Sequence, residues 1–385
     1  MNSHANNFNL LRLLAASQVF YVHAGYWLKL PDLGDLPGVG SNMTRFVVAF
    51  PGVPIFFVIS GFLITQSYFN GSGGLIGYFK RRALRIFPAL WTHYIVIFIM
   101  LAIAGAWSVG ELLKLDMWSW ITGAFLIGSD WWGNIFSGYR PFDWNGFYSR
   151  FPSGVLWTIN VELGFYLLVP LVFASIWRKW KIMWLVMALF AAASLWFAFR
   201  VTAMEEAGVR GNIMGFMRNQ PAAYFWVFLL GAAAAIHWDR VKGLFVNRVL
   251  VWAAMYAALT IADNVLFGSP GVKLTKLGVL TIPRMIVLAG LVLSFAHSAL
   301  FLGKPFAKTD LSYALYLYHM PIVWTFAGFG VKESWWIWIP VTACVVAASA
   351  LSWRFIEKPT LRLKTAKMPA FLQKISIPPL RFRQP

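Results

Sequence analysis

Apolar stretches of about twenty residues alternate with short polar links along most of this chain. We place them at Phe8 to Leu28, Phe46 to Tyr68, Ala83 to Ile103, Val155 to Trp177, Ile182 to Phe199, Pro221 to Trp238, Val249 to Phe267, Gly278 to Leu300, Leu311 to Gly330 and Trp335 to Trp353. Each is about long enough to cross a hydrocarbon core of roughly 30 Å at about 1.5 Å of rise per residue. A backbone in lipid must satisfy its own hydrogen bonds, so each stretch is expected to be a helix. The run Trp118 to Gly128 is too short to span and is expected to lie in the interface or re-enter from it. The pattern predicts an all-α, polytopic membrane protein with about ten transmembrane helices. Residues 1–364 form one membrane domain and residues 365–385 a short basic tail. The first stretch does not read as a cleavable signal, because it carries Asn9, Arg12, Gln18 and His23 behind no basic segment. No internal repeat of the kind seen in inverted-repeat transporters is visible.

Composition agrees with this reading. Of 385 residues, 59% are hydrophobic and 12% charged, with a mean hydropathy of +0.64. An even number of spans puts both termini on one side. That side then holds 20 of the 33 Lys and Arg and the opposite side 12, with Arg12 inside the first span, so both termini are expected to be cytoplasmic. The net charge of +19 follows the same rule and suits an anionic inner leaflet, so no nucleic-acid partner is expected. The single cysteine, Cys344, is read as a packing residue. The six histidines are scattered without ligand spacing, so no metal site is expected.

Charge inside the apolar spans is sparse. The charged or imidazole side chains lying well inside are Arg12, His23, His93, Glu162, Arg284 and His319, and each is a site candidate because an unpaired charge in hydrocarbon costs several kcal/mol. Arg12 and His23 are eleven residues apart, three turns at about 100° per residue, so they share one face, and Asn9 falls near it. A histidine there suits a general base. In the third span Arg82 and His93 repeat the spacing. Arg82 and Arg85, one turn apart at the expected cytoplasmic entrance, suit bidentate capture of phosphate oxygens, with His93 further along the same helix. Thr158, Glu162 and Tyr166 lie at i, i+4 and i+8 on one face of the fourth span. Glu162 and His23 both fall roughly 10 Å below the outer boundary, so Glu162 either orients His23, as the carboxylate of a triad does, or pairs with Arg284 or another cation. Ser312, Tyr316 and His319 share a face of the ninth span and line the same lane or pack beside it. Trp118, Trp120, Trp131, Trp132, Tyr139, Phe142 and Trp144 in the large outer loop serve the interfacial belt or stack on sugars.

The order of motifs then carries a resemblance. Asn9-Leu-Leu-Arg12 leading to His23, Ser60-Gly61-Phe62-Leu-Ile, Arg81-Arg82-Ala-Leu-Arg85-Ile-Phe-Pro88, Leu156-Trp157-Thr-Ile-Asn-Val-Glu162, Leu311-Ser312-Tyr313-Ala-Leu-Tyr316-Leu-Tyr-His319 and Phe355-Ile-Glu357-Lys358-Pro359 follow one another from residue 9 to about 363. This series resembles the membrane acyltransferase-3 family of O-acyltransferases. The resemblance implies a ten-helix domain in the inner membrane. It also implies an acyl-CoA co-substrate, acetyl-CoA in the first instance, and acylation of an extracytoplasmic or lipid-linked glycan. It carries the family's arginine-x10-histidine pattern onto Arg12 and His23, and its arginine-x-x-arginine pattern onto Arg82 and Arg85. Many members have an acid where Asn9 stands and a second acid where Leu163 stands, so a carboxylate role at those positions, if it is needed, would fall to Glu162 alone. Some members continue into a soluble esterase-like domain; behind Lys364 this chain has a short basic tail, and a second transfer step would need a separate partner.

Together these readings assign His23 and Glu162 to catalysis and Arg12, Arg82, Arg85 and His93 to the donor. Asn9, Ser60, Tyr166, Ser312, Tyr316 and His319 are expected along the lane between them, and Arg284 at an acidic acyl or glycan group. Direct transfer and an acyl-histidine relay stay open. A transporter, or a lipid-linked glycan polymerase or ligase using outer arginines such as Arg140, Arg150, Arg210 and Arg218, are the rival classes.

Overall fold

A computed structural model describes residues 6–31, 49–103, 153–174, 180–268, 277–298 and 309–365, together with Leu274, Gly303 and Phe306. Ten principal helices fall on the ten apolar stretches: α1 (Phe8–Leu28), α2 (Gly52–Asn70), α3 (Gly74–Ile103), α4 (Trp157–Ala174), α5 (Trp180–Glu206), α6 (Phe225–Ile236), α7 (Val249–Phe267), α8 (Thr281–Ala296), α9 (Ser312–Gly328) and α10 (Trp338–Ser352). Short helices Asn212–Arg218 and Trp238–Phe245 link them, and no strand occurs among the described residues. The run Trp118 to Gly128, the outer-loop aromatics, Arg140, Arg150 and most of the tail lie outside the described residues. Among the described residues, five segments, beginning at Gly52, Gly74, Lys181, Val249 and Trp335, are long and apolar enough to cross a bilayer unaided. The chain is therefore an all-α, multi-pass membrane protein.

Not every expected span is a full-length helix. α6 has 12 residues, about 18 Å at helical rise, and its stretch opens with the 3-10 turn Pro221–Ala223. Most of α6 is buried, and α2 and α5 are among the neighbours that cover it. Irregular backbone at membrane depth is tolerated where protein rather than lipid surrounds it. In the other direction, α3 starts earlier than its apolar stretch suggests, so Lys80, Arg81, Arg82 and Arg85 lie inside the helix instead of opening it.

Small residues set the central crossing. A side chain at Gly61 would strike the Phe228 carbonyl and one at Gly231 the Val58 carbonyl, so α2 and α6 meet backbone to backbone. α9 is the other central element: every residue from Ser312 to Pro321 is buried, and α1 and α10 flank it. α1 is clamped at both ends. Asn7 reaches the end of α8 through its N–H to the Ala296 carbonyl (2.9 Å), and Lys29 pairs with Glu333 (3.6 Å). By contrast α7 buries only Tyr256 and Asp263. Leu185 and Leu189 on α5, Val265 and Leu266 on α7, and Val346 and Leu351 on α10 face outward as a lipid-matching surface.

Candidate active site

A cavity of about 370 Å³ lies where α1, α2, α3, α4, α9 and the segment after α10 converge. Four cationic side chains, Arg12, Arg82, Arg85 and Lys364, line it against two carboxylates, Glu162 and Asp310. Asp310 is the hub. Its Oδ2 accepts from Arg85 Nη2 at 2.7 Å and from Arg12 Nη1 at 3.3 Å, and its Oδ1 accepts from the Ser312 N–H at 3.3 Å. Burial pushes the Asp310 carboxyl up, but Arg85 and Arg12 outweigh it and hold the group down to about 2, so it is charged at every physiological pH. Glu357 approaches the far side of Arg85 at 3.8 Å.

Arg82 stands apart from this network. Its Nη2 donates to Ser67 Oγ at 3.1 Å, its guanidinium lies 5.7 Å over the Tyr166 ring, and its buried Nε has no hydrogen-bond partner. Among the described residues neither Arg82 nor Lys364 forms an ion pair. Burial, followed by repulsion from Arg85, Arg82 and Arg12, brings the Lys364 amine down to about 7. The cavity thus holds unneutralised positive charge with unused donors, the arrangement that receives a phosphate-bearing or otherwise polyanionic group.

The face proposed for α4 exists as expected: Thr158, Glu162 and Tyr166 all line the cavity, with Ser60 opposite. Glu162 Oε1 accepts from Tyr166 (2.6 Å) and Ser60 (3.3 Å). Asn9, Ser312 and Tyr316 line it too, and Tyr316 closes one end through a 2.6 Å hydrogen bond between its hydroxyl and that of Thr158. Beyond Tyr316, ring centroids 5.9 Å apart, stands His319, whose Nε2 lies 2.9 Å from Nδ1 of His23.

Three expected placements change. Glu162 meets neither His23 nor Arg284, because equal depth fixes height and not rotation; α1 packs mainly on α9 and α2, which gives His23 a histidine neighbour. His93 leaves the donor group: eight residues past Arg85 it is fully buried, bonded to Ser153 Oγ at 2.8 Å and edge-on to Tyr318, and the cavity lining does not include it. Pro88 interrupts the hydrogen-bond ladder between the two positions. Arg284 is not available to an acyl or glycan group, being 1% exposed and locked in an ion pair with Asp263.

Asp310, Glu357 and Lys364 were not singled out beforehand. Asp310 directly precedes the Leu311-Ser312-Tyr313 motif, and Glu357 sits within the Phe355-Ile-Glu357 motif; their position in motifs was the available signal. The π-helical turn Trp353–Glu357 that follows α10 inserts an extra residue, as such turns do at functional sites, and carries the chain so that Glu357 meets Arg85 and Lys364 reaches the cavity.

Fold and site together define a polytopic helical membrane protein with a cationic cavity and, beyond its Tyr316 lining, a histidine pair of which His319 is buried and His23 half-buried. The chain matches the model of the acyltransferase-3 family, an acyltransferase domain, over residues 6–354 and belongs to that family; it is an acyltransferase. It is similar to Nodulation protein 10 of Rhizobium leguminosarum bv. viciae, at 37% identity over 370 residues and 95% of both chains. It is also similar to Peptidoglycan O-acetyltransferase OatA of Listeria monocytogenes, 28% identical over 80% of this chain and 51% of that one. O-acetyltransferase OatA of Staphylococcus aureus is 25% identical over 84% of this chain and 54% of that one. The chain therefore spans about half the length of these two OatA proteins. No solved structure matches it.

Proposed function

We propose that this protein is a cytoplasmic-membrane O-acyltransferase, with both termini cytoplasmic, that moves an acetyl group from acetyl-CoA to a hydroxyl of an extracytoplasmic or lipid-linked glycan. The observation that carries the donor assignment is the cavity's uncompensated charge. The nucleotide phosphates would lie against Arg82, Arg85 and Lys364 at the terminal side of the bundle, with Asp310 holding Arg85 and Arg12 in place. The pantetheine arm would run along the Ser60, Ser312 and Tyr316 lane. Tyr316 and Thr158 close that lane short of His319, so the arm reaches the histidines only when the Tyr316 side chain swings aside.

At the far end His23 accepts the proton of the glycan hydroxyl. The freed oxygen lone pair forms the new C–O bond at the thioester carbonyl, the C–S bond breaks, and the CoA thiolate leaves and takes up a proton. General-base help of this kind is worth roughly 10² to 10⁴-fold. Glu162, fixed by Tyr166 and Ser60, balances the cavity's positive charge instead of orienting His23. The similarity to proteins named O-acetyltransferase supports acetyl as the acyl group and a wall or surface glycan as the acceptor.

The test follows labelled acetyl from acetyl-CoA into envelope glycan, in membranes holding the intact protein or His23→Ala at equal abundance. Incorporation that needs His23 is the expected result. Incorporation that survives the substitution overturns the role of His23, and purified protein that neither binds nor consumes acetyl-CoA overturns the donor.

A further inference from the structure

His23 and His319 meet nitrogen to nitrogen, Nδ1 to Nε2 at 2.9 Å, with rings inclined by only 13°. A neutral imidazole carries one N–H, so one ring donates and the other accepts. The Leu315 carbonyl decides which. His319 Nδ1 lies 3.1 Å from that oxygen, a carbonyl can only accept, and Nδ1 of His319 therefore holds the hydrogen. Its Nε2 is then a lone pair aimed at His23, so Nδ1 of His23 must be the donor. The nitrogen left bare is Nε2 of His23, in a half-buried ring. Among the described residues no carboxylate forms an ion pair with either histidine.

We infer that His319 is a positioning residue that locks His23 into the tautomer whose bare Nε2 serves as base. It does for His23 part of what a carboxylate does in a catalytic triad: it accepts from the far nitrogen, fixes the ring's orientation and tautomer, and keeps that hydrogen bond once Nε2 is protonated. The surroundings suit that duty. His319 is fully buried, with Phe20 and Tyr316 edge-on to its ring, and the small buried side chains Ala16 and Ala24 on α1 bring α9 close enough for the contact. A neutral acceptor also avoids the cost of burying a carboxylate at this depth.

The inference rests on His23 being the base of the proposed reaction, so its test reads the tautomer as well as the rate. Solid-state nitrogen NMR of histidine-labelled protein in lipid, with the His23 signals identified by their loss in His23→Ala, should show a protonated Nδ1 and a bare Nε2. His319→Gln, whose side-chain oxygen can replace the accepting Nε2, should keep that signature and stay within about tenfold of the wild-type kcat. His319→Phe, which keeps the ring and removes the acceptor, should shift His23 toward the opposite tautomer and lower kcat by about 10² or more, with the donor KM unchanged. Wild-type His23 found with Nε2 protonated, or a His319→Phe spectrum like that of the wild type, overturns the inference. The wild-type spectrum alone decides the tautomer if a variant does not fold. If acetyl-CoA proves not to be consumed, the proposed reaction fails while the spectrum still reports the pair.

Discussion

Among the described residues, two buried aspartates, Asp263 and Asp310, hold arginines inside this bundle, and the two sites have opposite characters. Arg284 and Asp263 join α8 to α7 one to one, at 1% and 4% exposure, with the Arg284 guanidinium 5.9 Å over the Tyr256 ring and away from the cavity lining. Arg85 and Asp310 line a void, share the carboxylate with Arg12, and have Arg82 and Lys364 as further cations around the same space. The first pair cancels its own charge; the second leaves charge over for a ligand. An ionisable group within a membrane span therefore does not mark a site by itself. Excess of one sign around an open space does.

The comparison breaks most visibly at the sealed pair. Arg284→Met leaves Asp263 buried without its counter-ion and should cost about 3–5 kcal/mol, read as a lower unfolding midpoint in detergent, with turnover per folded molecule unchanged. Nε and Nη2 of Arg284 have no hydrogen-bond partner, so replacing both members, Arg284→Met with Asp263→Leu, should recover most of that loss. Lost turnover in the double variant at normal stability would return Arg284 to the site.

At the cavity the same kind of change should act on binding instead. Arg82→Gln removes an unpaired guanidinium and should raise the acetyl-CoA KM by about tenfold, the worth of one charge-assisted contact, with kcat and the unfolding midpoint close to wild type. An unchanged KM would move the donor elsewhere. Lys364 offers the smallest and most specific effect. With its amine brought down to about 7, it is charged below that pH and neutral above it, so the donor KM should rise by about threefold as pH increases through 7, and Lys364→Gln should flatten that part of the profile. The fold responds with the opposite sign: between 7 and the ordinary lysine range the unfolded chain holds the proton that the folded one has released, so stability rises with pH there.

Hydropathy located the helices but not their places. α7 and α9 come from stretches of similar apolarity, yet α7 faces outward along most of its length while α9 is buried without a break for ten residues. Lipid is as apolar as a protein core, so a hydrophobic run gains similarly from either environment. Asp263, four residues from the end of α7, was not among the sequence candidates and is the buried partner of Arg284. The site was legible where it follows one helix: Thr158, Glu162 and Tyr166 share the cavity face, as do Arg82 and Arg85. It was not legible across helices, where His23 found His319 and Asp310 gathered Arg12 and Arg85.

The amino-acid sequence alone determined that this is an all-α membrane protein, where its helices run, which side chains share a face and which family it belongs to. The first three follow from hydrocarbon thickness, from the backbone's need to satisfy its own hydrogen bonds and from a helical repeat that is strictly local; the family follows from the order of the motifs. The tertiary structure alone decided the partners. The rotation of each helix and the identity of its neighbour depend on packing over all faces at once, as at the glycine crossing of α2 and α6, and that packing put a histidine beside His23 and a void beside Arg82.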